Sequence, residues 1–310
     1  MNAFTVGASA PRANDSPAPL ITIGVPVFNS ERLLEGCLKN LAAQTCRDYR
    51  VIILDNASTD RTGVIAQAFA AHDKRFEYQR QPRNVGAKQN FADVLEMAST
   101  PYFMWRADDD LSDANFLEET LRLLEQFPKA ALAVGRAAYE KNGRTRIRRF
   151  PRRMPSEPSA VYRLRMLMRS RASWIYALFR TAELKVSLKN VYASFPHVNG
   201  FDHLVLLPFL LTMRVVGSDN TTFTTRFFER AGAQVSKGFL DPAPMVQLRS
   251  DFIRYCRAQV GELLSTPAAA FTYPFLSLYA ERTYQLPKIL DAKTRVLFGQ
   301  TPTGRAKSYD

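Results

Sequence analysis

No glycine-rich phosphate loop occurs in this sequence. Neither GxGxxG nor GxxxxGK(S/T) is present, so nothing supports a classical dinucleotide fold or a P-loop. Cysteine is scarce: Cys37, Cys46 and Cys256 are the only three. Their count is odd and their spacing suits no metal, so they are expected to be reduced thiols of a cytosolic protein. Of the three histidines, His72 and His197 fall in no catalytic pattern. Long apolar runs are also missing. The most apolar stretch, LVLLPFLLTM (204–213), is too short to span a bilayer and contains Pro208, so it predicts a buried helix. Residues 1–19, rich in Ala, Pro, Ser and Asn, lack the apolar core of a signal peptide and are expected to form a flexible lead-in.

Acid is nearly absent from one segment. Between Arg136 and Arg171 stand 12 Lys or Arg against Glu140 and Glu157, so this stretch carries +10 of a net charge of +13. Such a local excess fits an anionic partner (phosphates, a lipid surface or nucleic acid) or a solvated basic loop. With 46% hydrophobic residues, the chain has enough apolar material for a sizeable core.

Strand and helix patterns then alternate. LITIGVPVF (20–28) reads as a strand, with Ser30 able to cap the helix carried by Leu33, Leu34, Cys37, Leu38 and Leu41. VIILD (51–55) has the continuous apolar run of a buried parallel strand, and NASTD (56–60) is turn chemistry with Thr59 or Asp60 as a cap. Val64 to Phe69 form a helical face, FEYQ (76–79) a short strand, NVG (84–86) a turn, and Phe91 to Ala98 another helix. PYFMWR (101–106) is a strand, Phe116 to Leu124 a helix, and AALAVG (130–135) a strand. This β-α alternation predicts an open α/β sheet, in which ligands bind beyond the carboxyl ends of the strands. Further on, strands are expected at 145–150, 174–180 and 221–228, helices at 159–171 and 200–211, and mainly helix from Pro242.

One strand delivers three adjacent carboxylates, Asp108, Asp109 and Asp110. Like charges at this spacing repel, and none is cheaply buried without a partner. A divalent cation held by oxygen ligands would account for them; so would an exposed loop capping the helix that follows.

The ordered set ITIGVPVFNSERLLEGCLKNLAAQT, VIILDNASTDRT, NVGAKQNFADVLEMA and YFMWRADDDLSDANFLEE resembles glycosyltransferase family 2, well over residues 20–135 and more weakly to about 236. The resemblance implies an α/β GT-A fold: a Rossmann-like open mixed sheet flanked by helices, here with a mainly helical C-terminal extension. The implied organisation is a flexible segment (1–19), a GT-A domain (20–236) and a helical extension (237–310). Within the domain, 20–135 would form the nucleotide-sugar half and 136–236 the acceptor half.

The resemblance also implies an inverting glycosyltransferase that moves a sugar from a nucleotide-sugar donor, with UDP the expected nucleotide. Pro26, Val27 and Asn29 would lie along the nucleotide, Asp55 would contact the base, and Asn84, Gly86 and Lys88 would form the next part of the pocket. Asp108 would lie near the ribose or the metal, Asp109 would face the donor, and Asp109 or Asp110 would ligate Mg²⁺ or Mn²⁺ on the diphosphate, the assignment within the triplet staying open. Many members read Asp-x-Asp-Asp here, whereas this chain has Arg106 at the first position. The family's general base corresponds to Asp202, with His203 beside it and Trp174 and Tyr176 as candidate sugar-stacking residues on the acceptor side. Near the end of the domain many members carry Arg-x-His; this chain has Arg226 with Phe228 in place of the His, and Arg226 or Arg230 would still be able to reach the diphosphate.

The implied acceptor is a glycan or polyprenyl-diphosphate-linked glycan of surface polysaccharide synthesis. The Arg136–Arg171 stretch would then meet an anionic membrane surface, placing a cytoplasmic protein at the inner face of the membrane. The rival readings are a basic nucleic-acid- or sugar-nucleotide-binding protein and a nucleotidyltransferase. The acid cluster and the lack of a nucleic-acid motif oppose the first, so no nucleic-acid partner is expected. The glycine-free PVFNSERL opposes the second.

Overall fold

The computed structural model describes residues 18–151, 159–227 and 242–284. Arg152, Arg153, Phe228, Arg230, most of the expected lead-in and the expected boundary at 236 lie outside the described residues.

The first half of the chain forms β1 (Ile21–Val27), α1 (Leu34–Ala42), β2 (Tyr49–Asp55), α2 (Thr62–His72), β3 (Phe76–Arg80), α3 (Ala87–Glu96) and β4 (Tyr102–Trp105). These strands pair in parallel in the order β3-β2-β1-β4. Both faces of the central strands are covered, which is why VIILD and ITIGVPV are apolar without alternation. Side-chain parity sorts them. Ile21, Ile23, Val25, Val51, Ile53 and Met104 pack on one face with α1, while Ile52, Leu54, Phe103 and Trp105 pack on the other with α3.

The second half contributes β5 (Leu111–Ser112), α4 (Phe116–Gln126), β6 (Leu132–Lys141), β7 (Arg144–Arg148), α5 (Ala160–Arg169), β8 (Leu178–Arg180), α6 (Thr181–Ser194), α7 (Phe201–Leu211) and β9 (Val215–Phe227). The sheet continues β4-β8-β6-β9-β5, with β7 hairpinned onto β6. β8 is antiparallel to both β4 and β6, β9 is parallel to β6, and the sheet is therefore mixed. Helices α8 (Pro242–Leu263), α9 (Thr266–Thr272) and α10 (Leu276–Tyr284) follow and pack on α7 and α5. Phe252, Cys256 and Val260 of α8 are buried in that contact, as their helical spacing predicts.

Several local expectations change. Residues 174–180 do not form one strand: a 3-10 turn spans Ala172–Tyr176 and only Leu178–Arg180 extends. The reason is burial on both sides, since Trp174 and Ile175 turn into the core beneath α7. Helix α6, which the sequence reading missed, buries Leu184, Leu188 and Val191 at helical spacing. Ser30 does not cap α1 with its side chain. Asp60 accepts from the backbone N–H of Thr62 at 3.0 Å and so caps the start of α2.

Gly24 lets α3 lie close on β1. A Cβ there would stand 2.7 Å from Phe103 Cζ and 2.9 Å from Val94 Cγ1. Gly24→Ala should therefore cost about 1–3 kcal/mol through overpacking. A lowered urea midpoint with unchanged slope would bear this out, and an unchanged midpoint would mean that α3 shifts freely.

Candidate active site at the strand ends

The acid triplet sits in the turn after β4, and three elements hold it. The Ser30 hydroxyl, from the loop after β1, donates to Asp108 Oδ2. The Arg226 backbone N–H, from β9, donates to Asp110 Oδ1 at 3.0 Å, and its Nε donates to the Asp109 carbonyl at 2.6 Å. β5 pairs with Thr224 and Phe223 and so fixes the triplet against β9. Asp108 is 9% exposed and Asp110 2%, while Asp109 is half-buried.

Beneath the triplet lies Arg106, fully buried. Its guanidinium donates to Ser112 Oγ at 2.6 Å and to the Asp110 carbonyl at 3.4 Å, and lies over the Phe223 ring at 5.0 Å. Its charge favours ionised Asp110, but desolvation outweighs it. Burial first, then the Asp109 charge, push Asp110 up to about 7. The arginine at the family's first acidic position thus points away from the cleft, as a buried counter-charge to the third aspartate.

The nucleotide-side residues are brought to the neighbouring strand ends. Pro26 and Val27 close β1, and Asn29 adopts a left-handed φ of 49°. Asn29 receives Thr59 N–H on its Oδ1 at 2.9 Å and donates its own N–H to Ser58 Oγ at 2.9 Å, tying the first two loops together. Asn56 donates to Asn84 Oδ1 at 2.8 Å and accepts from Val85 N–H at 2.8 Å. That clasp sets the turn at Gly86, whose φ of 84° and ψ of 156° are accessible essentially to glycine alone.

Two expected residues are placed differently. The Asp55 side chain is 0% exposed, and its oxygens accept from Ser58 N–H, the Tyr78 hydroxyl and Arg80 Nη1, at 2.8, 2.9 and 2.7 Å. A base meeting Asp55 directly would have to displace the Arg80 ion pair. Lys88 turns towards α6: its ammonium lies 4.3 Å over the Tyr192 ring and donates to the Phe195 carbonyl at 3.2 Å.

On the other side of the triplet, a cavity of about 340 Å³ is lined by Tyr176, Asp202, His203, Arg171 and Arg282, among others. Gly200, with φ 89°, starts α7 and carries Asp202 into its first turn. A Cβ at Gly200 would collide with the Tyr284 hydroxyl, which donates to the Asn199 carbonyl at 3.1 Å. Asp202 Oδ1 accepts from His203 N–H at 2.8 Å, and no salt bridge engages Asp202 among the described residues. Burial, then the Arg282 and Arg171 charges, hold the His203 imidazole below its ordinary pKa against the pull of Asp202. The ring Nδ1 lies 3.2 Å from the Tyr279 hydroxyl.

Tyr176 joins the two halves. Its ring stacks on Phe223 at 5.3 Å, and burial together with Asp110, Asp109, Asp202 and Asp108 raises its hydroxyl pKa. Trp174, by contrast, is 5% exposed and packs on Phe150 in the core. Sequence reasoning gave no role to Ser30 at the triplet or to the tyrosines of α10. Arg106 carried a signal, as the one charge ending an otherwise apolar strand.

Among the described residues, no three His, Cys, Asp or Glu side chains are arranged to hold a metal ion by themselves. The donor set nevertheless fits a hard divalent cation that keeps one or two carboxylates and takes its other oxygens from substrate phosphates. The half-exposed Asp109 and the destabilised charge of Asp110 are the groups such an ion would relieve.

The sequence matches the model of glycosyl transferase family 2 over residues 22–185, more than half of the chain. The chain belongs to glycosyl transferase family 2. It is similar to glycosyltransferase GlyG of Streptococcus pneumoniae serotype 4, 28% identical over 107 residues, 34% of this chain and 36% of GlyG. It is also similar to the uncharacterized glycosyltransferase EpsJ of Bacillus subtilis, 26% identical over 161 residues, 50% of this chain and 46% of EpsJ. The chain thus spans a third to a half of these relatives' length. In three dimensions it is similar to S. aureus TarS 1–349 in complex with UDP, with a TM-score of 0.55 at 15% identity, covering 94% of this chain and 95% of that one. It is likewise similar to the mannosyltransferase PcManGT of Pyrobaculum calidifontis in complex with GDP-Man and Mn²⁺, with a TM-score of 0.52 at 16% identity, covering 94% and 77%. The fold is the GT-A fold. No helix among the described residues is long and apolar enough to cross a membrane.

The raised pKa of Asp110 has a stability consequence. Its protonated form is favoured in the folded protein, so this contribution is whole below about pH 4 and is lost as pH rises through 7. In metal-free protein, Asp110→Asn should therefore gain stability relative to wild type as pH rises from about 4 to 7, with no further gain above. Parallel urea midpoints across that range would show that Asp110 ionises normally.

Proposed function

We propose that this protein transfers a sugar, with inversion, from a nucleotide-sugar donor to a hydroxyl of a glycan or lipid-linked glycan acceptor in cell-surface glycan synthesis. What carries the proposal is the position of Tyr176, which lines the Asp202 cavity and stacks on Phe223, the ring that lies under Arg106 on the strand pairing with β5 beside the triplet. Donor and acceptor chemistry would then meet in a single cleft.

In this mechanism the nucleotide lies across the ends of β1 and β2, along Pro26, Val27 and Asn29. Asp55 serves the base through the groups it fixes, Tyr78 and Arg80. Asn84 and Gly86 form the far wall of the pocket. Asp108 faces the ribose, held by Ser30. Asp109 and Asp110 would hold Mg²⁺ or Mn²⁺, which when bound supplies positive charge to the leaving diphosphate. Arg226, already on the triplet, adds a fixed cation on the same side.

Asp202 accepts the proton of the attacking hydroxyl. Two local features support that role: the tight turn at Gly200 and a carboxylate free of salt bridges among the described residues. The basic surface of β7 and α5 faces an anionic acceptor or membrane. On α5, Met166 and Leu167 are buried while Arg165, Arg169 and Val161 are exposed, so this surface offers charge beside a single exposed valine.

Calorimetric titration of a nucleotide-sugar panel, with Mn²⁺ or Mg²⁺ and with EDTA, should find one donor class bound only with metal. Asp109→Ala/Asp110→Ala should abolish that binding. A folded protein that binds no nucleotide sugar would sink the proposal. Asp202→Asn should bind donor like wild type but lower kcat by about 10²–10⁴-fold. Undiminished turnover would reassign the base.

A further inference from the structure

Two cavities share one wall. The first is the Asp202 cavity already described. The second, of about 640 Å³, is lined by Arg148, Arg149, Arg165, Arg169 and Arg171 beside Trp174. No carboxylate lines it among the described residues. Arg171 belongs to both cavities, so the five-arginine hollow adjoins the chamber of the candidate base at that side chain.

At that junction stands a second cation from a distant part of the chain. Arg282 of α10 donates from Nη2 to the Ser170 carbonyl at 3.0 Å. Its Nη1 is buried and has no hydrogen-bond partner. Arg171 lies near enough for its charge to disfavour that of Arg282. Neither guanidinium has an ion-pair partner within 4.0 Å among the described residues. Two neighbouring guanidiniums with an idle buried donor are costly to fold unless an anion completes them.

We propose that Arg171 and Arg282 bind a phosphate carried by the acceptor, while the arginines of the adjoining hollow take its further negative charge. This rests on Asp202 marking the acceptor side. Phosphate is favoured over a single carboxylate by number and shape. Six arginines surround the two cavities, and forked guanidinium donors match the several oxygens of a phosphate. The acceptor would then be a hydroxyl compound joined to phosphate, either an isoprenoid diphosphate or a phosphodiester chain. Arg282 lies outside the family-matched residues 22–185, so the helical C-terminal part would supply acceptor specificity.

The test is calorimetric titration in EDTA with inorganic pyrophosphate, farnesyl diphosphate and a glycerol-phosphate trimer. Wild type should bind pyrophosphate. Arg171→Gln and Arg282→Gln should each weaken it about tenfold, the scale of one charge-assisted hydrogen bond. Arg282→Lys should recover part of the loss. Tighter binding of farnesyl diphosphate would support a lipid-linked source, and tighter binding of the trimer a phosphodiester source. Nucleotide-sugar affinity with metal should not change in either variant. If wild type binds pyrophosphate through these arginines but binds no nucleotide sugar, the transferase proposal fails and the phosphate site stands. Arg171→Gln removes no side-chain hydrogen bond within the described structure, so it remains informative even if Arg282→Gln unfolds.

Three results would overturn the site: no binding by wild type, unchanged binding in the double variant, or binding lost equally in Asp109→Ala/Asp110→Ala. The second of these, together with unchanged binding to phosphatidylglycerol vesicles, would leave Arg171 and Arg282 no part in either phosphate or membrane binding.

Discussion

Three adjacent carboxylates at the end of a buried strand are tolerable only if the surrounding fold supplies what water no longer does. Here the supply comes from below and from both sides. The buried guanidinium of Arg106 underlies Asp110, Ser30 reaches Asp108 from β1, and the Arg226 backbone reaches Asp110 from β9. The compensation is incomplete, since Asp110 still holds its proton to about pH 7. A cluster left in that condition is suited to a cation arriving with a phosphate ligand, and ill suited to serve as a simple helix cap.

This constraint organises the second half of the sheet. β5 is two residues long, yet it brings β9 alongside the triplet, and β9 in turn holds Phe223 beneath both Arg106 and Tyr176. The parallel half presents the loops after β1, β2 and β3, cross-tied through Asn29, Ser58, Asn56 and Asn84. The mixed half presents Tyr176 and, through α7, Asp202. Under the proposed mechanism each half alone would lack part of the chemistry, and the cleft would lie at the junction between them.

The C-terminal helices form part of the wall around Asp202. Tyr279 contacts His203, Tyr284 sits on the turn before Asp202, and Arg282 lines the Asp202 cavity, held on the Ser170 carbonyl. The part of the chain beyond the family-matched residues is thus in direct contact with the part that would activate the acceptor.

The sequence by itself determined the alternating βα half, because its strands are continuous apolar runs ended by turn residues and its helices repeat at helical spacing. It also located the acid triplet, conspicuous as charges at a strand end, while Asp202 came from the family resemblance. Only the tertiary structure decided which residues serve them. Ser30 reads locally as a helix cap and becomes a partner of Asp108 only when β1 and β4 lie side by side. Asp55 reads as a strand-end acid open to ligand, and Arg80, on a strand paired with its own, encloses it. Arg171 and Arg282 are 111 positions apart in the sequence, and no local pattern links them. Periodicity and turn chemistry record what a residue does within its own element. Long-range pairings are set by how elements pack, and that information is spread over the whole core.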